Sequence, residues 1–119
     1  MYFESATAIV LAWQEAANRQ DIARLLALSA TDIAIVGPRG AGHGHQLLRE
    51  WVERAGIHLD TRRVFARGEG VVMAQHATWR VTSRFRVAEC RVALIARHDR
   101  LDAALAEAGL TEVDAVPHE

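Results

Sequence analysis

Apolar residues recur at helical spacing at the start of the chain. Ala6, Ile9, Val10, Trp13, Ala16 and Ala17 share one face of a segment running from about Ser5 to Asn18. Ser5 suits the N-cap of that helix. The pattern breaks at Asn18-Arg19-Gln20-Asp21, and Asp21 then caps a short second helix that turns Ile22, Leu25 and Leu26 inward. Two helices with so tight a joint pack as a hairpin or a corner. Thr31-Asp32 reads as a turn into a short β-rich run, Ile33 to Val36. Four glycines and a proline within residues 37–44 read as a loop. A third helix follows from about His45 to Ala55, with Leu47, Leu48, Trp51, Val52 and Ala55 as its stripe. Its solvent side carries the pairs Arg49 with Glu53 and Glu50 with Arg54. Gly56 is placed to end it in a left-handed conformation.

Beyond Gly56 the period changes from helical to alternating. Ile57 to Arg67 reads as one strand, and Gly68-Glu69-Gly70 as a hairpin turn. Val71 to Val81 alternates most cleanly, with Val71, Met73, Gln75, Ala77, Trp79 and Val81 on one face. Thr82-Ser83 reads as a bend, Arg84 to Val87 as a strand, Ala88-Glu89 as a turn and Cys90 to Arg97 as the last strand. A closing helix, Leu101 to Ala108, stops at Gly109. Helices gathered before an antiparallel run predict an α+β domain. Long consecutive strands curl where they are twisted or bulged, and helices packed on one face then enclose a cavity.

Composition narrows the function classes. The 119 residues suit a single domain, and with half of them hydrophobic the chain can bury a real core. The net charge of −1 creates no field favouring nucleic acid or an anionic membrane. All fourteen basic residues are arginine, but no aromatics interleave with them as a nucleic-acid face would need. A single cysteine, Cys90, rules out an intrachain disulfide. The first residues lack a basic segment followed by an apolar run, and no stretch is long enough to span a bilayer. A cytoplasmic protein without membrane or nucleic-acid partners is therefore expected.

The order of elements and several strings resemble the nuclear transport factor 2-like superfamily, which includes ketosteroid isomerases and SnoaL-like polyketide cyclases. The strings are Trp13 to Asp21, then Asp32 to Pro38, then Gly44 with Leu47-Leu48-Arg49-Glu50-Trp51, and finally Ala104 to Leu110. The resemblance covers nearly the whole chain. It implies a cystatin-like α+β roll: a cone-shaped, strongly curved mixed or antiparallel sheet with helices on its concave side and a pocket at the open end. It also implies a homodimer packed through the sheet face. Ketosteroid isomerases use a carboxylate base with a tyrosine and a protonated aspartic acid as oxyanion hole. The positions resembling those three are Gly37, Trp13 and Ser83, so that constellation is missing. SnoaL-like cyclases carry an aspartate where the last strand meets the final helix, which here resembles Asp99. A carboxylate desolvated in an apolar pocket makes a usable base near neutral pH.

Each candidate also has a structural explanation. Asp99 stands where an N-cap of the closing helix belongs. His98 competes with it, because adjacent strand residues face opposite ways. The resemblance places Arg97 and Asp99 inside, whereas Val92, Leu94 and Ala96 favour the parity that would place His98 inside. Gln75 is an amide on the most apolar face, able to orient a ligand carbonyl or to bond a protein partner. His43 and His45 have H-x-H spacing but no evident third ligand, so no metal site is read there. The glycine run lacks the phosphate-loop and dinucleotide spacings and is a pocket rim. Trp13, Ile35, Gly37, Trp51, Phe65, Met73, Gln75, Trp79, Phe85, Ile95 and Arg97 are the expected pocket set, with an arginine such as Arg97 able to meet an acidic ligand group. The expected ligand is a small apolar or aromatic metabolite, turned over without a cofactor by Asp99 with Gln75 or Trp13 as donor. The alternative is a binding or association module with no catalysis.

Overall fold

A computed structural model describes residues 5–37, 40–55, 59–76 and 80–116. Helices α1 (Ala6–Asn18) and α2 (Ile22–Ala27) come first. They are followed by β1 (Ser29–Gly37), β2 (Gly40–His43) and α3 (His45–Ala55), then β3 (Asp60–Arg67), β4 (Gly70–His76), β5 (Arg80–Ala88) and β6 (Arg91–His98). α4 (Leu101–Ala108), a 3-10 turn and the two-residue β7 (Ala115–Val116) close the chain. The strands form one sheet in the order β2-β1-β6-β5-β4-β3-β7. β1 runs parallel to β6, and every other pairing is antiparallel. The sheet is mixed, because the α3 and β3–β5 segment separates β1 from its partner β6.

The helix starts follow the local chemistry. Ser5 accepts the Ala8 amide and Asp21 the Arg24 amide, each supplying an oxygen to a first-turn donor that the helix itself cannot satisfy. α4 differs from the expectation. Its N-cap is Arg100, without a side-chain cap bond, and Asp99 does not cap. Asp102 instead accepts the Ala103 amide and pairs with Arg100. Gly109 ends α4 at φ 71°, where a side chain would be strained.

Several strand boundaries also differ. Thr31-Asp32 continues β1 rather than preceding it, and Gly40–His43 is a strand rather than loop. Glycine-rich segments lack the apolar alternation that marks a strand, so the pairing of β2 rests on backbone bonds to β1 alone. Thr82 and Ser83 lie in the interior of β5 and are buried. Polar residues there look like a bend only until their cross-strand partners are known. The β5–β6 turn is shifted by one residue, with Glu89 and Cys90 both at positive φ, as a tight hairpin needs. The expected single strand from Val71 to Val81 is instead most of β4 and the start of β5, two antiparallel partners with Gln75 opposite Val81; Gly56, His58 and Trp79 lie outside the described residues.

Bulges interrupt the pairing of β3 with β4 between Thr61 and Arg63, and of β5 with β6 between Arg86 and Val87. Each adds local bend and twist to the sheet. One face carries Ile33, Ile35, Val64, Val71, Met73, Phe85 and Ile95, packed against Ile9, Val10 and Trp13 of α1, Leu25 of α2, and Leu48 and Val52 of α3. The fourth helix does not join them. Phe65 and Val72, one residue out of step with Val64 and Val71, pack against Ala104, Leu105 and Leu110 on the other face. β3 and β4 are apolar on both sides here, so this second face needs its own cover. α4 therefore occupies part of the sheet face expected to meet a second copy. No helix among the described residues is long and apolar enough to cross a membrane.

Candidate functional site

The middle of the helix-covered face is sealed. Trp13 and Phe85 meet edge to face, with ring centroids 5.5 Å apart and planes at 71°, a favoured aromatic geometry. The Trp13 indole N–H donates to Ser29 Oγ at 2.9 Å, and Ser29 Oγ donates to the Leu25 carbonyl at 2.7 Å. Gln75, 1% exposed, donates from Nε2 to Gln14 Oε1 at 2.8 Å. Its Oε1 accepts from Ser83 Oγ at 2.7 Å. Gln14 in turn donates to Asn18, whose amide clamps both the N–H and the carbonyl of Leu59. Both donors expected to face a ligand, Trp13 and Gln75, thus bond protein groups. Met73 and Phe85 are core beside them, and Phe65 belongs to the opposite face under α4.

Toward the β1–β2 end of the same face the packing opens. A cavity of about 490 Å³ lies between the glycine-rich hairpin, α3 and β6. β1 contributes Ile35, Val36 and Gly37, β2 contributes Gly40, Ala41 and Gly42, α3 contributes Leu47 and Trp51, and β6 contributes Ile95 and Arg97. The volume is within the roughly 300–1,000 Å³ typical of small-molecule sites. Among the described residues the wall is apolar except for Arg97. Glycine has a steric role here. A Cβ on Gly42 would meet the end of the Leu47 side chain, so glycine there lets Leu47 keep its present place on the wall. Of the expected pocket residues, Ile35, Gly37, Trp51, Ile95 and Arg97 line this cavity. Val36, Gly40, Ala41, Gly42 and Leu47 were not anticipated individually, although the glycine run was expected to form the rim.

Arg97 is the polar feature of the cavity. Its guanidinium carbon lies 5.0 Å from the centre of the Trp51 ring, within cation–π range. Its Nε is buried without a hydrogen-bond partner. Among the described residues no side-chain hydrogen bond or ion pair engages it, and none of their carboxylates balances its charge. Burial lowers its pKa to about 10, and the group stays cationic at physiological pH.

The other acid–base candidates are elsewhere. His98 faces away from the cavity, on the α4 side of the sheet, where it accepts from Arg84 Nε at 3.1 Å. Burial, with the Arg84 charge beside it, holds the imidazole below its ordinary value, as an acceptor role requires. Asp99 is exposed past the end of β6 and borders a broad polar depression together with Arg62, Arg63, Arg100, Asp102 and Glu112. Gln75 borders that depression too, but its amide is turned to Gln14 and Ser83 across the sheet. Asp99 and Arg97 therefore do not share a cavity. His45 contacts the Ser29 carbonyl at 3.1 Å, and His43 is exposed. Among the described residues no group of His, Cys, Asp and Glu is placed to hold a metal. Arg63 pairs with Glu112, and Arg67 with Asp114 and the Gly109 carbonyl, tying the C-terminal segment to β3.

No protein-family model matches the sequence, and no curated protein matches it. Solved structures do resemble the chain in shape. One is a nuclear transport factor 2-like protein of unknown function from Cytophaga hutchinsonii, at TM-score 0.75 and 12% identity over 82% of this chain and 93% of that one. Another, from Burkholderia xenovorans and also nuclear transport factor 2-like, reaches TM-score 0.69 at 23% identity over 91% and 98%. A SnoaL-like protein of unknown function from Burkholderia thailandensis gives TM-score 0.65 at 16% identity over 82% and 98%. Likeness at these identities speaks for architecture rather than chemistry. With three helices on one face of an open mixed sheet and a cavity at the hairpin end, the chain has the nuclear transport factor 2-like fold, an α+β cone.

Proposed function

We propose that this protein binds a small, mainly apolar metabolite in the cavity between the β1–β2 hairpin, α3 and β6. The observation that carries the reading is the cavity itself: about 490 Å³, walled by Ile35, Val36, Leu47, Trp51 and Ile95. A solid interior would have been easy to build from these side chains, as the sealed half of the same face demonstrates. Binding without turnover is the reading the site supports best. Among the described residues Arg97 is the one titratable side chain on the cavity wall, and an arginine that stays protonated is not a general base. Asp99 and His98, the acid–base candidates, serve the opposite side of the sheet.

Native mass spectrometry of gently purified protein tests the reading. A copurified small molecule that is lost when Leu47→Trp fills the cavity is the expected result. The same spectrum counts subunits and so tests the homodimer. A ligand retained at full occupancy in Leu47→Trp would remove the cavity from consideration.

A further inference from the structure

Arg97 presents a problem that the fold alone does not solve. A guanidinium withdrawn from water loses hydration, and that loss is recovered by hydrogen-bond acceptors, most fully by one that carries the opposite charge. Other buried polar groups on this face have such compensation: Gln75 has Gln14 and Ser83, and Trp13 has Ser29. Arg97 has the face of Trp51, which offers partial attraction and no acceptor, and its Nε has no partner at all. Ser83, its neighbour across the β5–β6 ladder, is already turned to Gln75. The Arg97 side chain, though not its enclosed Nε, forms part of the cavity wall.

Resting on the binding reading above, we infer that the ligand is an amphipathic carboxylic acid whose carboxylate pairs with Arg97 while its apolar body lies against Ile35, Leu47, Trp51 and Ile95. A planar guanidinium matches a carboxylate through two parallel N–H···O bonds. Among the described residues one cation faces an otherwise apolar wall, which favours a monoanion over a phosphate dianion. Trp51 has two roles here. Its ring holds the guanidinium from one side and gives the apolar body, above all an aromatic one, a flat surface beside the charge.

The test is calorimetric titration of the intact chain with three acid–amide pairs, benzoate, 2-naphthoate and decanoate against the corresponding amides, with 2-naphthyl phosphate as a further probe. In the wild type the acid of at least one pair binds about ten-fold or more tighter than its amide, as a charge-assisted pair in a dry site implies. It also outcompetes the phosphate. Arg97→Met keeps the length and the packing, and it brings acid and amide to similar affinity. Arg97→Lys keeps the charge and retains the preference for the acid at lower affinity. Circular dichroism establishes that both variants are folded. Equal binding of acid and amide by the wild type, a preference that survives Arg97→Met, or tighter binding of the phosphate overturns this inference and leaves the cavity reading intact. If no probe binds, or if Leu47→Trp binds the probes undiminished, it is the cavity reading that fails.

Discussion

Gln75 and Arg97 stand two strands apart on the same helix-covered face of the sheet, with Ser83 between them in the ladder. Both are polar groups among apolar neighbours, yet their situations are opposite. Gln75 sits where α1 seals the sheet, and each end of its amide meets a protein side chain. Arg97 sits where α3 and the glycine hairpin stand apart, and its Nε meets nothing. The comparison separates two uses of buried polarity. A group whose partners are all internal fixes how the elements assemble. A group left unmatched at the edge of a cavity is poised for a partner from outside.

Substitutions at the two positions should therefore act in opposite directions. The largest stability change is expected at the sealed end. Gln75→Leu preserves volume but strands the Ser83 hydroxyl and the Gln14 amide oxygen, at a cost of about 1–3 kcal/mol in urea unfolding. An unchanged midpoint would mean that the Gln14–Gln75–Ser83 chain contributes nothing to assembly. At the open end, Arg97→Met removes an unpaired buried charge together with its cation–π contact. The two effects nearly offset, so stability stays level or rises by up to about 1 kcal/mol. A loss comparable to that of Gln75→Leu would show Arg97 to be a structural residue, and the contrast between the two sites would disappear.

A smaller effect is expected on the opposite face and depends on pH. The folded state holds His98 below its ordinary value of 6.5, through burial first and the Arg84 charge second. The unfolded chain therefore binds more protons between the two values. The contribution of His98 is complete above pH of about 6.5 and declines as the pH falls through the folded value. His98→Asn should flatten that part of the stability profile, as followed by denaturant midpoints across the acidic range. A profile with the same slope in the variant would place the titration on another group. The smallest effect belongs to Asp99. It is exposed and neither caps α4 nor reaches the cavity. Asp99→Asn is expected to leave both the urea midpoint and ligand affinity as they were, and a changed affinity would bring the polar depression back as a site.

Much of the architecture was legible along the chain. The stripe of α1, its Ser5 cap, the Asp21 cap of α2, the Gly68-Glu69-Gly70 turn and the facing of Val71, Met73 and Gln75 all appear as anticipated. So does the Arg49–Glu53 pair on α3. Half of the cavity lining was legible too: the glycine rim, Ile35, Trp51 and Ile95 by type and spacing, and Arg97 through the family resemblance, against the parity that its apolar neighbours suggested. The errors share a cause. Trp13, Met73, Gln75 and Phe85 are apolar-face residues, and periodicity reports which face a residue takes but not whether that face is filled or hollow. Asp99 has the residue type of a cap at the right position, yet the chain enters α4 at Arg100.

What the sequence determined by itself was local: which residues repeat at 3.6 or at 2, which side chains can cap, and where glycine permits a turn. Those signals act over a few residues and need no knowledge of the rest of the molecule. Tertiary structure decided the meetings between distant segments. It brought Gln14 to Gln75 across 61 positions, put α4 on the second face because Phe65 and Val72 needed cover, and left Arg97 beside a void. A polar side chain carries its charge in the sequence, but whether that charge is answered depends on which neighbours the assembled fold brings within 3 Å or so of it.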